Sequence, residues 1–75
     1  MTKRQEDAFI KQTVKRLTKE RKKQGLSQEK LADLSGVDRV AIGYIEQDRR
    51  EPRLRTIYRL ASAMDMSLSD LFGDR

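Results

Sequence analysis

The 75-residue sequence predicts an all-α domain, and three features carry that expectation. Apolar residues recur at helical spacing, while no useful window alternates apolar and polar with period two. Few β-branched residues run together, and three of the four glycines and the single proline stand between the periodic segments.

Ile10, Val14, Leu17 and Arg21 recur at i, i+4, i+7 and i+11, one face of a helix expected over residues 6–23. Gly25 is the natural residue just past its end. Glu6 and Asp7 would occupy its first turn and Arg21, Lys22 and Lys23 its last, which suits the helix dipole. Ser27 is the N-cap candidate for a second helix over residues 28–35, with Leu31, Ala32 and Leu34 apolar and Gly36 closing it. Asp38 would cap a third helix over residues 39–47, in which Ile42 and Ile45 face inward. After a turn at residues 48–52, Pro52 suits the start of a fourth helix over residues 53–64, striped by Ile57, Leu60, Ala61 and Met64. Ser67 would cap a short fifth helix, residues 68–72, and residues 73–75 are expected to fray. Nothing repeats, so residues 1–75 are expected to form a single domain with its core at about 7–72.

Composition removes whole classes of function. The chain has no Cys and no His, so zinc sites and thiol or imidazole catalysis are excluded, and no metal or cofactor is expected. No apolar run approaches the roughly 18 residues of a membrane span, and the first seven residues lack a signal peptide's apolar stretch. The expectation is a cytoplasmic protein with no membrane partner and no evident small-molecule ligand. No glycine-rich phosphate loop or paired carboxylates appear, so an enzyme is not expected. The net charge is +5, unevenly spread: residues 1–24 carry +6, residues 25–48 carry −3 and residues 49–75 carry +2. A basic chain suits an anionic partner such as nucleic acid, yet the acidic middle requires contacts at particular positions.

The spacing of the second and third helices supplies those positions. They are joined through Ser35-Gly36-Val37, short enough for a helix-turn-helix, with an ordinary αα-corner that uses Ala and Gly for packing alone as the alternative. Ala32 lets the helices cross closely, and Val37, Ile42 and Ile45 anchor the third helix. That leaves Arg39, Val40, Gly43 and Tyr44 on its other side as expected readers of DNA bases. An Arg at position 39 can donate paired hydrogen bonds to guanine O6 and N7, with a phosphate contact as the alternative, and Val40 and Ala41 can meet a thymine methyl. The Tyr44 hydroxyl could reach base or phosphate, with partial packing as the alternative. Gly43 costs on the order of 1 kcal/mol inside a helix; it is either a tolerated flaw or a means of close approach to the groove. Ser27 and Gln28 open the second helix, where free N–H groups favour a phosphate. Lys15, Arg16, Lys19, Lys22 and Lys23 surround the first helix's apolar stripe, more simply as a solvated face than as a binding patch.

Gln28-Glu29-Lys30-Leu31-Ala32, Gly36-Val37, Ile42-Gly43-Tyr44-Ile45-Glu46, Pro52, Leu60-Ala61-Ser62-Ala63-Met64 and Ser67-Leu68-Ser69-Asp70-Leu71-Phe72 together resemble the Cro and lambda-repressor-type helix-turn-helix domain of bacterial and phage regulators. The resemblance covers about residues 10–72. Asp38-Arg39 with Glu46 and Arg50 resembles its restriction–modification controller branch. Asp38, where Ser or Thr is common, and Ser35, where an apolar residue is frequent, depart from the family pattern. The resemblance implies a compact five-helix fold, double-stranded DNA as partner, a homodimer and no cofactor. It also implies that Gln28 binds phosphate and braces the recognition helix, and that Arg21 and Glu46 form a structural ion pair. The loop of Arg49, Arg50 and Arg53, with Arg55 beyond, would clamp the sugar–phosphate backbone. Glu29 either orients Arg39 or is a solvated first-turn acid, the simpler reading. The surplus of C-terminal apolar residues, Leu54, Met66, Leu68 and Phe72, suits a dimer interface. The expected function is a sequence-specific transcription regulator on a pseudo-palindromic operator. The alternative is an antitoxin or co-activator-type interaction module; an antitoxin usually adds a toxin-wrapping segment, and only residues 1–6 and 73–75 are spare.

Overall fold

A computed structural model describes residues 2–73. These hold five helices and no strand: α1 (Lys3–Lys23), α2 (Gln28–Ser35), α3 (Arg39–Glu46), α4 (Leu54–Ala63) and α5 (Leu68–Phe72). The all-α expectation holds, and the helix order is the expected one. α2 packs on α3 and α4, and α1 on α3 and α5. Leu17, Leu31, Val37, Ile42, Leu60, Ala61, Met64 and Leu71 close into one core, with Leu31 and Ile42 almost fully buried.

The largest departure is the start of α1, which begins at Lys3 rather than near residue 6. Thr2 supplies the reason. Its hydroxyl accepts from the Gln5 N–H at 3.1 Å while its own N–H donates to Gln5 Oε1 at 2.7 Å, a reciprocal capping box. Glu6 stays in the first turn and Asp7 passes out of it. Thr13 joins the buried side of α1, its hydroxyl donating to the Phe9 carbonyl at 2.9 Å, whereas Ile10 is only half-buried. Phe9, largely exposed, stacks on Phe72 with ring centroids 5.6 Å apart and so joins α1 to α5.

Other boundaries move by one residue. α3 ends at Glu46, and α4 runs from Leu54 to Ala63 because Arg53 and Met64 are its caps. Pro52 therefore precedes the N-cap of α4 and is buried, outside the first helical turn. Asp38 holds the N-cap position of α3, but its side chain makes no capping bond. Leu34 is half exposed on α2 rather than packed in the core. Gly73 is not loose, since its N–H donates to the Ser69 carbonyl at 2.7 Å; residues 74 and 75 lie outside the described residues.

α5 is short and depends on its cap. The Ser67 N–H donates to Asp70 Oδ2 at 2.8 Å, and the Asp70 N–H donates to Ser67 Oγ at 3.0 Å. The backbone bond from Ser67 is the chief reason that the Asp70 carboxyl lies below its ordinary pKa. A lowered folded pKa means a stabilising contribution present above the unfolded value and lost as pH falls through the folded one. Urea melts at stepped pH should therefore show Asp70→Asn less stable than wild type at neutral pH. The two stability curves should draw together below about pH 4, where an ordinary carboxylate protonates, and meet once the folded carboxyl is protonated too.

Candidate nucleic-acid interface

The turn between α2 and α3 is built from three local choices. Gly36 takes a left-handed conformation, φ 76°, and its N–H donates to the Ala32 carbonyl at 2.9 Å. Ser35 then accepts the Val37 N–H on its hydroxyl at 3.1 Å, so the side chain serves the turn where an apolar residue could not. Val37 drops into the core, and Ile42 and Ile45 hold α3 against it. Arg39 and Val40 are left exposed, Tyr44 is 41% exposed and Gly43 is half-buried beside them.

The far end of α3 is held by a charged network. Arg21 Nε donates to Glu46 Oε2 at 2.7 Å and Arg21 Nη2 to Glu46 Oε1 at 2.8 Å. Arg21 Nη1 donates to the Leu26 carbonyl at 2.8 Å, and Gln28 Nε2 to Glu46 Oε1 at 2.9 Å. Both charged side chains are nearly buried. The Glu46 carboxylate raises the Arg21 pKa against the opposing effect of burial, so the guanidinium stays charged. Gln28 Oε1 lies 3.6 Å from where a Cβ at position 43 would stand, an ordinary contact that an alanine would accept. Packing within the chain thus does not demand glycine there.

At the start of α2, Ser27 Oγ accepts the Lys30 N–H at 2.9 Å. The N–H groups of Gln28 and Glu29 find no protein acceptor among the described residues and form an open helix end. No bond joins Glu29 to Arg39 among the described residues. Beyond α3, Asp48 adopts φ 62° and turns the chain back, and the Arg49 N–H donates to the Tyr44 carbonyl at 2.8 Å. The Arg50 and Arg49 guanidinium carbons lie 5.3 and 6.0 Å from the Tyr44 ring centroid. Lys11 reaches Asp48 at 3.4 Å, a tie from α1 that no local sequence pattern signals.

The arginines do not all stay together. Arg55 lines a separate apolar groove between α4 and α5, with Leu54, Tyr58, Met66, Leu68 and Phe72 among its walls. Leu54 and Leu68 are each 76% exposed and Tyr58 70%. Tyr58 is an addition to the expected set, although its i+4 spacing from Leu54 places both on one face of α4. Lys15, Lys19 and Lys22 border a shallow cleft near Glu46.

A helix-turn-helix with a buried anchor at each end of its second helix, and a solvent-facing arginine at that helix's start, defines a class of DNA-binding transcription regulators. The chain belongs to the Cro and lambda-repressor-type helix-turn-helix family, whose model matches residues 17–71. It is 43% identical over 60 residues to the HTH-type transcriptional regulator PuuR of Escherichia coli (strain K12), covering 80% of this chain. It spans about a third of that relative's length, 32%. It is 37% identical over 57 residues to an uncharacterized HTH-type transcriptional regulator of Archaeoglobus fulgidus, covering 76% of this chain and 81% of that one. Among solved structures it is similar to the restriction-modification controller protein C.AhdI from Aeromonas hydrophila. That match has a TM-score of 0.77 and 42% identity, covering 87% of this chain and 98% of the other. The named relatives are transcription regulators and a controller protein, and no enzyme family is indicated. No helix among the described residues is long and apolar enough to cross a membrane.

The Arg21–Glu46 pair is open to a double-mutant cycle. Arg21→Met strands a nearly buried carboxylate and should cost about 3 kcal/mol in a urea melt. Replacing Arg21 and Glu46 together by Met and Leu should cost less than the sum of the two single changes. Strictly additive losses would mean that the two side chains do not couple.

Proposed function

We propose that this chain is a sequence-specific transcription regulator that binds a pseudo-palindromic DNA operator as a homodimer. The observation that carries the reading is the exposed face of α3, opposite its buried anchors Val37, Ile42 and Ile45. Arg39 stands at the helix's N-terminal end, where helix-turn-helix geometry brings side chains to base edges. Val40 beside it offers an apolar surface to a thymine methyl, and Gly43 and Tyr44 continue the same face. Ser27 and Gln28 at the open end of α2, with Arg49, Arg50 and Arg53, take backbone phosphates and set register rather than sequence. The likeness to the solved controller protein, at a TM-score of 0.77 and 42% identity, supports a controller type of regulator.

The homodimer rests on the α4–α5 groove. One recognition helix of eight residues reads few base pairs, and two-fold symmetry doubles the site. Leu54, Tyr58 and Leu68 form an exposed apolar surface that a second copy would cover, with Met66 and Phe72 at its floor. Half-sites would then lie about 10–10.5 base pairs apart.

Arg39→Ala should lose about 1–3 kcal/mol of discrimination at one base pair of each half-site. Binding to single-base operator variants measures this, and equal weakening on every duplex would make Arg39 a phosphate ligand instead. Leu68→Arg should leave the fold intact, since the side chain is exposed, and yield a monomer with greatly weakened operator binding. Sedimentation velocity at micromolar concentration is the check; a monomeric wild type or a dimeric variant would place the interface elsewhere.

A further inference from the structure

Tyr44 occupies the last turn of α3, and three observations tie it to the two residues that follow the Asp48 turn. Asp48 at φ 62° turns the chain, the Arg49 N–H bonds back to the Tyr44 carbonyl, and the Arg50 and Arg49 guanidinium groups stand over the Tyr44 ring at 5.3 and 6.0 Å from its centroid. Among the described residues, neither Arg49 nor Arg50 enters an ion pair, so their charge is left for something outside the chain. We propose that Tyr44 is a positioning residue: its ring holds the Arg49 and Arg50 guanidinium groups ready for the phosphates of a DNA backbone. The proposal rests on the reading that the loop after α3 meets DNA, and it assigns the ring a role separate from any contact of the hydroxyl.

The chemistry suits the task. A guanidinium resting on an aromatic ring uses its flat face, which leaves its in-plane N–H donors free to grip a phosphate. An unsupported arginine side chain loses rotamer freedom when it binds, and a ring that already restrains it reduces that loss. The backbone that carries the ring is held because α3 is anchored at Ile42 and Ile45 and tied at Glu46 to α1 and α2. Asp48 pairs with Lys11 at 3.4 Å and not with either arginine.

Because backbone contacts are sequence-independent, a labelled mixed-sequence duplex is a sufficient probe, read by fluorescence anisotropy across a salt series. Tyr44→Leu should weaken binding by about two- to fivefold, the order of the ordering cost of one arginine side chain that the ring no longer restrains. Tyr44→Phe, which keeps the ring, should retain more of the binding than Tyr44→Leu. In an Arg49→Ala/Arg50→Ala background, Tyr44→Leu should have no further effect. Without DNA, the Arg50 side-chain protons should show a ring-current shift in wild type and Tyr44→Phe that Tyr44→Leu abolishes. The proposal is overturned if Tyr44→Phe loses as much as Tyr44→Leu, which would make the hydroxyl the working group. It is also overturned if Tyr44→Leu binds like wild type, or weakens binding equally in the arginine-free background. Arg49→Ala/Arg50→Ala alone tests the underlying reading: its salt slope should flatten by about 0.9 for each phosphate that is no longer neutralised. Wild-type binding with an unchanged slope would remove the clamp itself, a result distinct from failure of the ring.

Discussion

The Glu46 carboxylate is the point on which the interface depends. It sits at the last residue of α3 and receives two hydrogen bonds from Arg21 at the end of α1 and one from Gln28 at the start of α2. Arg21 gives its remaining arm to the Leu26 carbonyl, so the loop between α1 and α2 is drawn into the same knot. Removing two charges from water is unfavourable, and the pair is tolerated because the bidentate geometry and the added amide and carbonyl partners satisfy it. Apolar contacts at the same place could match its stability but would not dictate direction. The network ties the end of α3 to both α1 and α2 and so bears on how the helix is rotated against them.

That rotation matters because a recognition helix works by angle. Ile42 and Ile45 set which face of α3 is buried, and the turn through Gly36, Ser35 and Val37 sets its distance from α2. With the other end closed by Glu46 and the Asp48 turn, Arg39 and Val40 stand on a helix that has little freedom to tilt. Rigidity of this kind places polar groups before binding, so less conformational entropy is lost when they meet a partner. The α4–α5 groove shares no lining residue with α3.

The helices, their order, the glycine at the turn and the inward faces of α3 and α4 are legible in residues alone, because helical periodicity and capping residues act over a few positions. The early start of α1 is legible too, since Thr2 and Gln5 stand at capping-box spacing; the apolar stripe simply begins later than the helix does. Asp38 shows the reverse case. Its residue type suits a cap, but α3 is held by core burial and its side chain makes no capping bond.

Local spacing along the chain was enough to define the set of helices and the family they belong to. Which distant residues meet was decided only in three dimensions: Arg50 and Arg49 on the Tyr44 ring, Lys11 on Asp48, Gln28 on Glu46, Phe9 on Phe72, and Arg55 parted from the other loop arginines. Those meetings depend on helix crossing angles and on a left-handed turn at an aspartate. The left-handed aspartate closes α3 through local backbone bonds, but where the residues beyond it land depends on crossing angles, which are set by packing of the whole core.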